Sequence, residues 1–266
     1  MKSALIGHTG FVGGNLLRQR AFDDLYNSKN IESIAGRSYD LIICAGAPAE
    51  KWKANQNPEA DRQVIDRLIA ALRQVEVKRF ILISTVDVYP QPVDVDEASA
   101  VDWSQASAYG RHRRLLEEFA VGRFSALLAR LPGLFGKGLK KNIIYDFLHG
   151  NQVDKIHADA HFQFYGLDSL WADLQTATGA GLSVLNVATE PVSVAQVAQD
   201  AFGRTFENRP AGLAAARYDF HSQHAALFGG RGPYLQSKET VLEKMKKFVE
   251  SERRGGSAPA QPVTLG

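Results

Sequence analysis

The sequence predicts an α/β protein, a doubly wound parallel sheet with a small cap toward the C-terminus. Three observations predict it. A glycine turn joins a short apolar strand to a helix at the start of the chain, short apolar runs then alternate with amphipathic stretches to about residue 135, and beyond that point the pattern is shorter and less regular. The 266 residues suffice for one large core with an appended lobe, not for two full domains. Residues 1–135, with returns near 160–188, are assigned to the core, most of 136–250 to the cap, and 251–266 to a flexible, Gly/Pro-rich tail.

Lys2 to Ile6 reads as the first strand and the segment from Phe11, with Val12, Leu16 and Leu17 on one face, as the first helix. Between them, Gly7 allows the reversal, Gly10 lets the backbone approach a ligand, and Gly13 lets helix and strand pack closely. The unpaired N–H groups of that helix start and its positive dipole end suit a pyrophosphate, so Gly7, His8, Thr9, Gly10, Phe11, Val12 and Gly13 form a candidate Rossmann-type dinucleotide site. The stretch ALIGHTGFVGG, spaced G-x-x-G-x-x-G, resembles the extended branch of the short-chain dehydrogenase/reductase superfamily, the NAD-dependent epimerase/dehydratase family that modifies nucleotide-sugars.

Ala21 to Asn27 reads as the second strand, whose end meets the adenosine ribose in this architecture. Asn27, Ser28 and Lys29 offer donors there in place of an acid, which favours NADP over NAD. The same residues also read as a plain polar turn, and Asp23 or Asp24 would serve as the ribose acid of an NAD enzyme if the strand ended earlier. Tyr39 to Gly46 is the third strand, apolar throughout as a strand buried on both faces should be. The resemblance implies that Ala45, Gly46 and Ala47 after it line the cofactor. Trp52 and Lys53 are expected in a loop, followed by a helix over Pro58 to Val75 with Val64, Leu68, Ile69 and Leu72 facing the core.

Arg79 to Tyr89 reads as the fourth strand, ending in a hydroxyl pair where open α/β sheets place ligands. Its STVDVY resembles the family's S-[ST]-x-x-V-Y. The resemblance puts Thr85 on the substrate oxygen, Ser84 beside the cofactor and Asp87 near the substrate, and makes Tyr89 part of the following turn. Family dehydratases carry Asp-Glu after this threonine; Val86 and Asp87 stand here, which disfavours dehydration. The loop from Pro90 to Gln105 reads as surface or lid. In SAYGRHR, Tyr109 and Arg113 are four apart on one helix and share a face. The family uses Y-x-x-x-K, its tyrosine the acid/base and its lysine the group that lowers the tyrosine's pKa from ~10 and holds the nicotinamide ribose. Arginine keeps the charge but not the geometry. Two readings stay open, a working enzyme in which Arg113 polarises Tyr109 and a dinucleotide-binding regulatory or scaffold protein that has lost hydride chemistry; His112 is expected on the helix surface.

Phe124 to Leu131 reads as the fifth strand. LPGLFGKG after it resembles a family segment that implies Pro132 and Leu134 beside the nicotinamide, and Lys140, Lys141 and Asn142 at the nucleotide diphosphate of the substrate; a solvated basic turn is the alternative. His157 and His161 lack a third ligand at metal-site spacing. Leu182 to Ala188 reads as a strand, Ser193 as a helix N-cap, and LQSKETVLEKMKKFVESERR as a final helix. Arg217, in the loop between them, suits phosphate or sugar.

A net charge of +2 with both signs interspersed argues against nucleic acid as a partner. No run reaches membrane-spanning length, and the one cysteine, Cys44, lies in an apolar strand, so a reducing cytoplasm is the expected compartment. The resemblance implies hydride transfer on a nucleotide-sugar, first as a 4-ketoreductase with NADP and second as an epimerase retaining NAD, and homodimerisation through two long helices flanking the sheet.

Overall fold

The structure, a computed structural model, describes residues 1–255. β1 (Ser3–Ile6) runs into α1 (Phe11–Gln19), and β2 (Asp24–Tyr26) follows. β2 is shorter than the expected 21–27. Asp23 is drawn back to Ser3, accepting from its backbone N–H at 2.6 Å and its hydroxyl at 2.9 Å, so pairing starts only at Asp24. β3 (Ser38–Cys44) leads to α2 (Lys51–Gln56) and α3 (Pro58–Leu72). Trp52 and Lys53 therefore lie in a helix, not a loop. α3 is started by Asn57, whose side chain accepts from Ala60, and by Pro58, whose missing N–H costs nothing in a first turn. Val64, expected in the core, is 42% exposed, because Asp61, Ile65, Leu68 and Leu72 turn the adjoining stripe inward.

β4 (Glu76–Thr85) ends in one 3₁₀ turn over Val86–Val88 rather than extending to Tyr89. α4 (Ala108–Arg123) is capped by Ser107, whose side chain accepts from Gly110, and β5 (Ala126–Leu131) follows. Then come β6 (Gly133–Phe135), α5 (Ile143–His149), β7 (His161–Phe162), β8 (Phe164–Gly166), α6 (Leu170–Gly179) and β9 (Val184–Asn186). β10 (Val192–Ser193) enters α7 (Val194–Phe202) through a Ser193–Gln196 capping box. α8 (Lys238–Gly255) includes the first residues of the expected 251–266 tail; the others lie outside the described residues.

Six strands form one parallel sheet in the order β2-β1-β3-β4-β5-β9. The chain leaves β1 in one direction and returns through β3 in the other, which opens a crevice at their carboxyl ends. Strand side chains alternate between two apolar layers. Ala4, Ile6, Ile42, Cys44 and Leu82 meet Ile65, Leu68 and Leu72 of α3 and Leu116 of α4, while Leu5, Leu41, Ile43 and Ile81 meet Leu16 of α1 and Leu170 and Leu174 of α6. Cys44 is fully buried in the first layer, which pushes its thiol up to about 12 and makes it inert. A third cluster joins Phe147 of α5, Val197 and Phe202 of α7, and Met245 and Val249 of α8. No helix among the described residues is long and apolar enough to cross a membrane.

Candidate active site

The glycine turn closes the β1 side of the crevice by backbone contact. Gly7 has φ +83°, and a Cβ there would stand 2.2 Å from the carbonyl oxygen of Ala45 at the end of β3. A Cβ on Gly13 would stand 2.1 Å from the oxygen of Gly7. Strand, turn and helix are thus held against each other without side chains. Gly10 caps α1 with no side-chain hydrogen bond, and the first turn carries no acid, so its N–H groups face the crevice with the dipole unopposed. These residues fit a dinucleotide pyrophosphate. The substitution Gly7→Ala is expected to destabilise the fold by at least about 1–3 kcal/mol, read from urea unfolding, because it adds both strain and overlap.

At the end of β2, the Asn27 side chain approaches His8 Nε2 at 3.2 Å and accepts from the Lys29 N–H at 2.8 Å, while Ser28 and Lys29 stay exposed. Asp23 and Asp24 lie at the opposite end of the strand. Asp24 accepts from the Tyr39 hydroxyl at 2.6 Å, as Asp23 does from Ser3, so neither acid reaches the place of a ribose. Across the crevice, Ala45, Gly46 and Ala47 are partly exposed after β3. Leu134 packs on the cluster that Phe11 and Val12 also touch, and Pro132 leads into its short strand.

Ser84 does not face this crevice. Its hydroxyl donates to Glu117 at 2.6 Å inside the protein, which makes it structural. Thr85, the next residue along, points the other way as strand alternation requires. Its oxygen accepts from the Asp87 N–H at 3.1 Å, and it stands near the phenol of Tyr109, which it helps to pull down. Gly110 permits that meeting, since a Cβ there would lie 2.3 Å from the Asp87 carbonyl oxygen. Burial pushes the Tyr109 phenol up, Arg113 opposes that and Asp87 adds to it, and the net direction is upward.

Arg113 lies with its guanidinium carbon 4.1 Å from the centre of the Tyr109 ring. Its terminal nitrogens, however, are taken. They donate to the two oxygens of Asp61 at 2.5 and 3.0 Å and to the carbonyl of Pro48, and only Nε has no partner. The arginine is 3% exposed. Asp61 is also 2.7 Å from His112 Nδ1, so His112 is buried and not on the surface as expected. Burial opposes ionisation of Asp61, but Arg113 and His112 outweigh it and hold the carboxyl below its usual range.

Asp87 meets two groups absent from the sequence expectation. It accepts from the Lys51 ammonium at 2.7 Å and from the Tyr218 hydroxyl at 3.3 Å. Burial lowers Lys51, yet Asp87 and Tyr218 raise it further, leaving it firmly charged. Asn55, one turn after Lys51 on α2, accepts from the Tyr109 N–H at 3.1 Å. Asp61 was visible in the sequence as an acid on the apolar stripe of α3; Tyr218 had no local signal.

The remaining expected residues scatter. Lys141 donates to the Ala49 carbonyl, next to the Pro48 carbonyl that Arg113 binds, and Lys140 is exposed. Asn142 is structural, because its side chain caps α5 by accepting from Ile144 and Tyr145 and donates to the Leu134 carbonyl. Arg217 is exposed beside a cavity of about 270 Å³ that it lines with His161, Pro191, Tyr218 and Asp219. His157 and His161 each bond the backbone of Asp159. The ligand atoms that do converge among the described residues are those of Asp94, Asp219 and His221, within 4.8 Å, and Asp219 also accepts from the Tyr234 hydroxyl at 2.6 Å.

Comparison with known proteins bears on this arrangement. Residues 4–158 match the NAD dependent epimerase/dehydratase family. Among solved structures, a UDP-galactose 4-epimerase superposes with TM-score 0.71 at 18% identity, over 96% of this chain and 99% of that one. MoeE5 in complex with UDP-glucuronic acid and NAD gives 0.71 at 19% identity over 96% and 100%. A dTDP-4-dehydrorhamnose reductase from Clostridium acetobutylicum gives 0.69 at 14% identity over 95% and 100%. At such identities the likeness is one of fold. No curated protein matches the sequence.

Proposed function

Because the chain belongs to the NAD dependent epimerase/dehydratase family, we propose that it reduces a keto group, at C4, on a nucleotide-activated sugar with NADPH. The observation that carries this reading is the Thr85–Tyr109 pair at the carboxyl end of β4, in the same parallel sheet whose β1 runs into the start of α1. Gly7 to Gly13 would hold the pyrophosphate, Asn27, Ser28 and Lys29 the adenosine end, and Ala45 to Ala47, Pro132 and Leu134 the walls. A dihydronicotinamide bound there supplies the hydride. Thr85 orients the carbonyl oxygen and Tyr109 delivers the proton to it as the alkoxide forms. A reducing rather than a dehydrating enzyme is favoured by Val86, which leaves Asp87 as a single acid beside Thr85.

Residues 136–250 would supply the substrate side, with Arg217 and the cavity beside it taking the nucleotide phosphate or sugar. Buried, unpaired Cys44 suits a cytoplasmic setting. A second reading, a dinucleotide-binding regulatory or scaffold protein, draws on Arg113, whose donors are spent on Asp61 and Pro48. The test is mass spectrometry of small molecules released on denaturation, with titration of the same protein by NADPH and NADH. An empty protein preferring NADPH, with that preference reduced about tenfold or more in Lys29→Glu, is the expected result. Stoichiometric retained NAD would favour an epimerase instead, and binding of neither would remove the dinucleotide site.

A further inference from the structure

The helix that carries Tyr109 brings a cation whose charge is already answered. Both terminal nitrogens of Arg113 face Asp61 and Pro48, and the ion pair is buried. The Asp87 carboxylate, by contrast, is bound by Lys51 and acts on Tyr109, raising its phenol. Three contacts from different parts of the chain fix that placement. The backbone of Asp87 abuts Gly110, the Lys51 ammonium lies 2.7 Å from the Asp87 carboxylate and 3.4 Å from the Tyr218 hydroxyl, and Asn55 ties α2 to the Tyr109 N–H. Lys51 and Asn55, four residues apart, share the face of α2 that looks at the site.

We propose that Lys51 is a positioning residue of the active site, the ammonium that holds Asp87 beside Tyr109 and neutralises it there, in place of the charge that Arg113 gives to Asp61. Its functional meaning rests on Tyr109 being the proton donor of the reaction proposed above. Unanswered, the carboxylate would oppose the phenolate that must form each time the proton is given up. The ammonium has a third N–H beyond those directed at Asp87 and Tyr218, and the Lys51 side chain is 43% exposed, so it can meet a ligand oxygen without leaving its partners. The charged and titratable groups around Tyr109 are Arg113, backed by Asp61 and His112, and Asp87, backed by Lys51 and Tyr218; Lys141 lies beyond Arg113.

The test needs neither cofactor nor sugar. Protein labelled with 3,5-difluorotyrosine, whose phenol titrates nearer neutrality, is followed by ¹⁹F NMR against pH, with the Tyr109 resonance assigned by its loss in Tyr109→Phe. In Lys51→Met the Tyr109 midpoint is expected to move up by roughly one pH unit, in Lys51→Arg to stay close to the parent, and in Lys51→Met/Asp87→Asn to return. An unmoved midpoint in Lys51→Met, or one that stays raised in the double variant, overturns the proposal. Because the titration is made on the free protein, a chain that binds no dinucleotide would defeat the reductase reading while leaving this result to be judged separately.

Discussion

Replacing Tyr109 by phenylalanine is expected to lower keto-sugar reduction by about 10²–10⁴-fold while leaving NADPH affinity within a fewfold of the parent. The phenol is the acidic group that meets Thr85 at the end of β4, and its ring is held by stacking beneath Arg113. Phenylalanine keeps the ring, so α4 keeps its seat; only the transferable proton is lost. Steady-state rates beside a fluorescence titration separate the two effects. Turnover that survives the substitution would give the proton to another group, and a parallel loss of affinity would mean that the ring, not the hydroxyl, was the functional part.

The largest effect on stability is expected from Glu117→Gln. Glu117 is fully buried and accepts from Arg130 through both oxygens, at 2.9 and 2.7 Å, and from Ser84 at 2.6 Å. Arg130 in turn donates to the Tyr89 hydroxyl at 2.6 Å, and that hydroxyl donates to the Asp96 carbonyl. Neutralising Glu117 leaves a buried guanidinium without its counter-charge, at a cost of about 3–5 kcal/mol. Removing both charges together, as Glu117→Leu/Arg130→Met, is expected to recover most of that loss. Urea unfolding of the single and double variants measures it. A single variant within about 1 kcal/mol of the parent would show that the pair contributes little.

What could be read from the chain and what could not divide along physical lines. The turn at Gly7 was legible because its requirement is local, a positive φ and room for a neighbouring carbonyl within a few residues. Runs such as LIIC and FILI announced buried strands for the same reason. The partners of Arg113 were not legible. They are Asp61, 52 residues away, and a carbonyl that α4 meets only when folded. An acid on an apolar stripe signals a buried partner, but the stripe cannot say which one. His112, expected on the helix surface, is drawn inside by the same acid. Ser84 and Thr85 read as a hydroxyl pair serving one site, one on the cofactor and one on the substrate oxygen, but strand alternation sends the Ser84 hydroxyl inward to Glu117 and leaves Thr85 near Tyr109. Trp52 and Lys53 read as loop because a helix as short as α2 leaves little periodicity, and its docking on α4 through Asn55 is a tertiary fact.

Two points of α4 are anchored to different parts of the same sheet. At its start Gly110 lies against the turn that ends β4, and two turns on Glu117 is clamped to Arg130 of β5. Helix and strands therefore move as one body, and the spacing between the Thr85 and Tyr109 hydroxyls is set when the sheet forms rather than when a ligand arrives. The α2 segment and Tyr218 touch this body from outside, through the contacts of Lys51 and Asn55. The Thr85–Tyr109 spacing thus belongs to the frame, and the contacts around Asp87 are added to it by parts that lie outside the sheet.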